Sequence, residues 1–437
     1  MKIRTVFFWA HLIGGVTAGI VILIMSLTGA LLTYERQLIE WSDRAFRVTL
    51  SADAQRLPVQ QLMDQVTASH PDIVPTAVTV RADREAPVTI NAGQRTVYVN
   101  PYSAQVIGEP TTDVRRWMSE LRAWHRWLAI EGPNRPVARA ITGWSNAIFL
   151  FIVLSGMYLW LPRRWSWQNV KAVAMFKTGL SSKARDFNWH NVIGIWSAVP
   201  LALVVATAMP ISFPWASNLI YRAVGETPPQ QGGGPGGAAG RGAGPGAAPA
   251  ARSENGAGRG AARGAGPEGR GGRTGGDESQ ARAAEGPRGG RQGEGQRQPQ
   301  PVRLANLDAL FARAEQQVAD WRSINLRLPT AADAPLAFAV DQGNGGQPQL
   351  RSTLTLDAVT GDVVRWETFE SQSLGRRLRS WSRFTHTGEA FGLLGQTIAG
   401  LVSAGGVVLV YTGLALAWRR FFGKKASAAP AAQKEAA

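Results

Sequence analysis

The chain has 437 residues, 45% of them hydrophobic, with 47 lysines and arginines against 31 carboxylates and no cysteine. That composition excludes disulfides, thiolate metal sites, cysteine-bound iron–sulfur clusters and covalently attached c-type haem. The formal charge of +16 falls mainly in the flanks of apolar stretches and in one glycine-rich tract, so membrane topology accounts for most of it and no nucleic-acid partner is expected.

The first element is an apolar stretch over 6–34 behind Lys2 and Arg4. It is too long for the apolar region of a cleavable signal and lacks a small-x-small cleavage site, so 1–35 reads as a retained anchor and first span. In 36–115 an amphipathic helix ("LPVQQLMDQVTASH") and alternating strands ("TAVTVRAD", "RTVYVNPYSAQVIGE") predict an α+β domain. A juxtamembrane helix and the second span (apolar over 139–161) occupy 116–162. The short loop 163–186 holds Arg163, Arg164, Lys171, Lys177, Lys183 and Arg185, and the third span (apolar over 191–215) lies in 187–218.

Residues 219–300 form an insertion whose tract 225–300 is glycine, proline, alanine, glutamine and arginine with almost no large apolar residue. Such a segment cannot bury enough surface to offset chain entropy, and disorder is expected. A second α+β domain follows in 301–372 ("NLDALFARAEQQVADW", "SINLRLP", "STLTLDAVTGDVVRWE"). A juxtamembrane helix and fourth span (apolar over 391–418) occupy 373–421, ahead of a tail over 422–437. Each apolar stretch exceeds the about 20 helical residues needed to cross a hydrocarbon core. The basic loop, with Arg419, Arg420, Lys424 and Lys425 in and beside the tail, places both termini in the cytoplasm and the two long connections outside.

The halves repeat one another. "HLIGG" starts the first span and "HNVIG" the third; each is followed by a helix and hairpin strands, and then by "RRWMSELRAWH" or "RRLRSWSRFTH". Gly143 and Gly156 are thirteen apart in the second span, as are Gly400 and Gly413 in the fourth. Two tandem copies with an even number of spans enter the membrane in one orientation, related by an axis along its normal.

Four of the five histidines fall at these duplicated positions: His11 and His190 near the cytoplasmic face, His125 and His386 near the external face. His70 has no counterpart and reads as structural. Zinc and copper sites want three or more close ligands, and no carboxylate lies within three residues of His11 or His190. One imidazole from each half at each level suits the two axial positions of a porphyrin, so the expected cofactor is two non-covalent haems, the iron held by His11 with His190 and by His125 with His386. Arg115, Arg116, Arg122, Arg126, Arg376, Arg377 and Arg383 crowd the external face against the usual charge asymmetry. Guanidinium suits bidentate carboxylates, so Arg122 and Arg383 are expected to bind haem propionates. With both axial positions filled, such haems transfer single electrons.

The motifs "HLIGG", "AWHRWL", "NWHNVIG" and "FTHTGE", with the span end "SGMYLWLPRR", resemble the PepSY-associated transmembrane family, which includes iron-regulated inner-membrane ferric-siderophore reductases. The resemblance covers nearly the whole chain except 225–300. It implies a membrane α-helical fold class with α+β extramembrane domains: four transmembrane helices from two tandem repeats, each carrying a periplasmic PepSY-like domain. It also implies haem b, a bacterial inner-membrane location and reduction of ferric chelates at the periplasmic face. No dinucleotide fingerprint follows a strand, and the cytoplasmic loop is too short for a flavin domain, so the donor is separate: a quinol or a cytoplasmic flavoprotein. Three other readings stay open here: a haem-free anchor presenting PepSY modules for protease regulation or protein binding, a duplicated transporter, and a haem protein whose acceptor is copper or a periplasmic redox protein.

Overall fold

The computed structural model describes residues 3–50, 53–161, 166–229, 304, 306–329, 331 and 334–422. The disorder expected of 225–300 falls outside the described residues from position 230 on, as does the tail from 423.

Four helices are long and apolar enough to cross a membrane: α1 (Ile3–Leu32), α5 (Arg135–Trp160), α7 (Ser182–Ser212) and α11 (Gly392–Phe422). At 1.5 Å per residue the 30 residues of α1 extend about 45 Å. α7 begins well before its apolar stretch because its first turns are held by polar contacts. Asp186, almost wholly buried, accepts from Arg185 at 3.1 Å and from Arg419 at 2.6 Å, tying the start of α7 to the end of α11.

α1 packs against α5 and α11, and α7 packs against the same two. α1 and α7 therefore stand at opposite corners of the bundle. The thirteen-residue glycine spacing serves this arrangement, since thirteen residues turn a helix through about 220° and put the two glycines on nearly opposite sides. A Cβ at Gly156 would meet His11 of α1, whereas one at Gly143 would meet Phe213 beyond α7; in α11, Gly413 faces His190 of α7 and Gly400 faces Thr33 beyond α1.

All long connections emerge at one end of the bundle, the sheet end. Short helices flank it: α2 (Glu35–Ser42), α4 (Thr112–Trp127), α8 (Pro214–Ala223) and α10 (Leu374–His386). The opposite, loop end carries α6 (Trp167–Ala174) and the chain ends of α1 and α11. The extramembrane layer is built from α3 (Val59–Ser69), α9 (Leu307–Gln317) and eight strands. These are β1 (Ala77–Arg81), β2 (Val88–Ala92), β3 (Arg95–Val99), β4 (Val106–Gly108), β5 (Ser323–Arg327), β6 (Leu336–Asp341), β7 (Arg351–Leu356) and β8 (Val363–Glu367).

Here the structure corrects the expectation of two domains. The strands form one antiparallel sheet in the order β4-β3-β2-β1-β5-β6-β7-β8. At its centre β1 pairs with β5, Thr79 opposite Asn325, whose side-chain amide donates to the Thr79 hydroxyl at 2.8 Å. Left apart, each half would expose a strand edge with unpaired backbone groups; joined, the edges satisfy each other. One hydrophobic core runs through both halves, with Leu62 and Val66 of α3, Phe311 of α9, and Val78, Leu326 and Phe338 of the sheet. β2 and β6 carry no clear two-residue alternation in the sequence. Val88, Thr89 and Ile90 are all buried in β2, and the outward positions of β6 are Ala337 and Ala339.

Candidate functional site

The four duplicated histidines meet in two pairs. His11 on α1 and His190 on α7 face each other across the bundle with ring centres 6.4 Å apart and planes at 84°. His125 at the end of α4 and His386 at the end of α10 face each other with ring centres 6.2 Å apart and planes at 43°. A metal–imidazole bond is about 2 Å long, so two rings on opposite sides of one ion have centres about 6 Å apart. Both pairs have that separation. No cluster of three or more histidine, cysteine or carboxylate side chains placed to hold a metal ion occurs among the described residues.

Each ring is held by its Nδ1. His11 Nδ1 lies 3.0 Å from Ser155 Oγ, and His190 Nδ1 lies 3.0 Å from Thr412 Oγ1. His125 Nδ1 donates to the Met25 carbonyl at 3.0 Å and His386 Nδ1 to the Val204 carbonyl at 2.9 Å. A carbonyl only accepts, so the outer rings carry their proton on Nδ1 and present an unprotonated Nε2, the form that binds metal. Met25 lies fourteen residues after His11, and Val204 fourteen after His190. The two pairs are therefore separated by about 21 Å along the bundle.

Small residues make room at both levels. A Cβ on Gly156 would come 3.3 Å from His11 Cε1, on Gly413 3.4 Å from His190 Cε1, and on Gly29 3.3 Å from His125 Cε1. Between the diagonal helices at the inner pair lies a cavity of about 1030 Å³ lined by His11, Gly15, Gly19, His190 and Gly194. A Cβ on Gly15 would meet nothing within 4 Å, so that glycine faces open space. Toward the loop end the same cavity is lined by Arg4, Lys183, Arg419 and Arg420. A mostly apolar cavity lined by both imidazoles, with cationic groups at one end, offers the donors and the room that a porphyrin with carboxylates along one edge would need.

Most arginines near the outer pair turn out to be structural. Arg115 is bonded to Asp43, with its Nη1 at 2.8 Å, and Arg116 to Asp113 at 2.6 Å. Arg376 pairs with Glu367 at 3.2 Å, and Arg122, one of the two expected to hold a propionate, is ion-paired with Glu35 of α2. Arg383, the other, lies over the Phe384 ring and has no carboxylate partner among the described residues. Arg126 adjoins His125 in α4 and is likewise without one. Burial first, and then the charges of Arg139, Arg135, Arg383 and Arg122, depress its pKa. This convergence of positive charge marks the outer pair as an anion-attracting place. The sequence places Arg126 among the external arginines and singles out Arg122 and Arg383 for an anion; Arg135 and Arg139 emerge only because the start of α5 folds back against α4. Beside them the Trp127 indole N–H is buried without a partner, while Arg135 stacks on its ring at 3.9 Å.

His70 caps the end of α3 with its Nδ1 3.1 Å from Ser69 Oγ, a structural role. Trp117 and Trp124 are exposed, whereas Trp381 packs between Phe369 and Phe391.

The profile of the PepSY-associated TM region matches residues 8–420, from the first histidine helix to the end of the fourth span. The chain belongs to that family. None of the curated proteins matches the chain significantly. In this PepSY-associated transmembrane protein the matched region includes all four paired histidines and the whole joined sheet.

Proposed function

We propose that this protein is an inner-membrane electron carrier with two b-type haems that reduces ferric chelates, of the ferric-siderophore kind, at the periplasmic face. The observation that carries the reading is the meeting of His11 with His190 and of His125 with His386, ring centres about 6 Å apart, each Nδ1 engaged by the protein. A haem held by two imidazoles would supply one-electron transfer there.

The chain's own residues do the rest. His11 and His190 would hold the inner group, with Gly15, Gly19 and Gly194 leaving space for its faces and Arg4, Lys183 and Arg420 neutralising its carboxylates. At the outer pair His125 and His386 would hold the second group, and Arg126, Arg139 and Arg383 would supply the positive charge. Arg122, paired with Glu35, stiffens the junction of α4 with α2. In this reading the termini are cytoplasmic, and the sheet lies in the periplasm over the outer pair as the docking surface for substrate.

The reaction is the one-electron reduction of a chelated iron(III) to iron(II). A donor at the loop end, a membrane quinol or a cytoplasmic flavoprotein, is oxidised by one electron for each iron reduced. Iron(II) carries less charge and is held less well by hard oxygen donors, so reduction favours its release.

The test is a reduced-minus-oxidised spectrum with haem-to-protein stoichiometry on wild type, His11→Ala and His386→Ala. Two haems in the wild type and one in each variant support the reading. A wild type without Soret absorbance sinks it and leaves a haem-free anchor for protein binding. Reduction of a ferric chelate by the dithionite-reduced protein then tests the substrate.

A further inference from the structure

Among the described residues a side-chain hydroxyl reaches both rings of the inner pair but one ring of the outer pair, a difference that neither the motifs nor the haem reading contains. At the outer pair the acceptors are the backbone carbonyls of Met25 and Val204, with the Thr28 hydroxyl also 3.1 Å from His125 Nδ1. At the inner pair they are two side-chain hydroxyls in matching places: Ser155, immediately before Gly156, and Thr412, immediately before Gly413. Both residues are 2% exposed.

Each hydroxyl has one proton, and the helix takes it. Ser155 Oγ donates to the Ile152 carbonyl at 3.1 Å, and Thr412 Oγ1 donates to the Val408 carbonyl at 2.7 Å. What remains toward the imidazole is a lone pair, so the Nδ1–H of His11 and of His190 must be the donor. The neighbouring glycine lets the Cε1 edge of the ring come close enough for that bond. Hydroxyl and glycine together form a two-residue cradle, Ser155-Gly156 for one ring and Thr412-Gly413 for the other. The carbonyls of Ile152 and Leu409 also face these rings and stand behind the hydroxyls.

From this we infer that Ser155 and Thr412 are positioning residues that fix the tautomer and orientation of the inner imidazoles and set their electron-donating strength independently of the outer pair. An acceptor on Nδ1–H increases imidazolate character and ligand basicity, which stabilises the oxidised metal. Hydrogen bonding beyond the ligand is one of the levers by which a protein sets a haem potential. Among the described residues both rings of the inner pair have that lever in side chains, where a substitution can reach it, whereas at the outer pair His125 has it, through Thr28.

The inference rests on the proposed haem ligation, and its test separates the two. Full-length protein in detergent is titrated optically as wild type, Thr412→Val and Thr412→Ser. Valine keeps the shape of threonine while removing the acceptor; serine keeps the acceptor. We expect Thr412→Val to move the midpoint of one haem component upward and leave the other in place, with Thr412→Ser close to wild type. Loss of one haem in Thr412→Val but not in Thr412→Ser has the same meaning in stronger form. Two haems with unchanged midpoints in Thr412→Val, or both midpoints moved alike, overturn the inference while leaving the haem reading intact. A wild type that binds no haem overturns both.

Discussion

His11 and His190 stand on helices at opposite corners of the bundle, yet their ring centres are 6.4 Å apart. The intervening helices permit this by offering a glycine where each ring passes: Gly156 beside His11 and Gly413 beside His190. The approach is tight, since an added Cβ would sit 3.3 Å and 3.4 Å from the respective Cε1 atoms.

Gly156→Leu should therefore displace the His11 ring and remove the inner haem while the bundle still forms. The measurement is haem stoichiometry together with gel-filtration behaviour in detergent. A monodisperse variant that retains two haems would show that the cradle does not matter.

Because every histidine pair takes one ring from each half, neither half should bind haem alone. Cutting the chain between residues 229 and 304 and co-expressing the pieces should give a complex that copurifies and carries both haems, held by the β1–β5 seam and the shared core. Haem on a single isolated half would contradict the pairing.

The sheet should unfold as one unit. Phe338 has no exposed surface and packs edge-on against Phe311 at 5.2 Å, and truncating such a buried ring costs about 3–5 kcal/mol. In Phe338→Ala, amide exchange should accelerate in β1 and β2 as well as in β5 to β7. Acceleration confined to the second half would point to two independent cores.

Acid should loosen the attachment of α4 to the sheet. Burial alone would push the Asp43 carboxyl up, but the bonds from Arg115 and Tyr98 and the charge of Arg115 hold it below the usual carboxylate range. Burial, followed by the Asp43 bond, pushes the Tyr98 hydroxyl up to about 12, so Tyr98 stays a neutral donor. A carboxyl with a lowered folded pKa contributes stability above its unfolded value, and that contribution fades as pH falls through the folded value. Asp43→Asn should cost about 1–3 kcal/mol near neutrality and should flatten stability against pH below about 4. An unchanged acid limb in Asp43→Asn would assign the effect to other carboxylates.

Much of the architecture was legible in the chain. Apolar length alone located the four spans, because a bilayer demands it, and strand alternation located β1, β3, β4, β5, β7 and β8. β2 was hidden by burial on both faces and β6 by its alanines. The duplicated positions of His11, His125, His190 and His386 pointed to two levels of ligands. The arginines were less legible. Arg122 and Arg383 occupy the same register before their histidines, but a carboxylate brought in by α2 neutralises only the first.

The sequence by itself determined the membrane topology class, the duplicated order of elements and the four histidines, since these depend on hydropathy and spacing along one chain. Tertiary structure decided the rest: that the extramembrane halves share one sheet through β1 and β5, that the histidines pair across halves, and that Ser155 and Thr412 cradle one pair while the carbonyls of Met25 and Val204, with the Thr28 hydroxyl, hold the other. Those contacts join residues more than a hundred positions apart in most cases. Their partners are selected by how helices and strand edges bury one another, which no local pattern encodes.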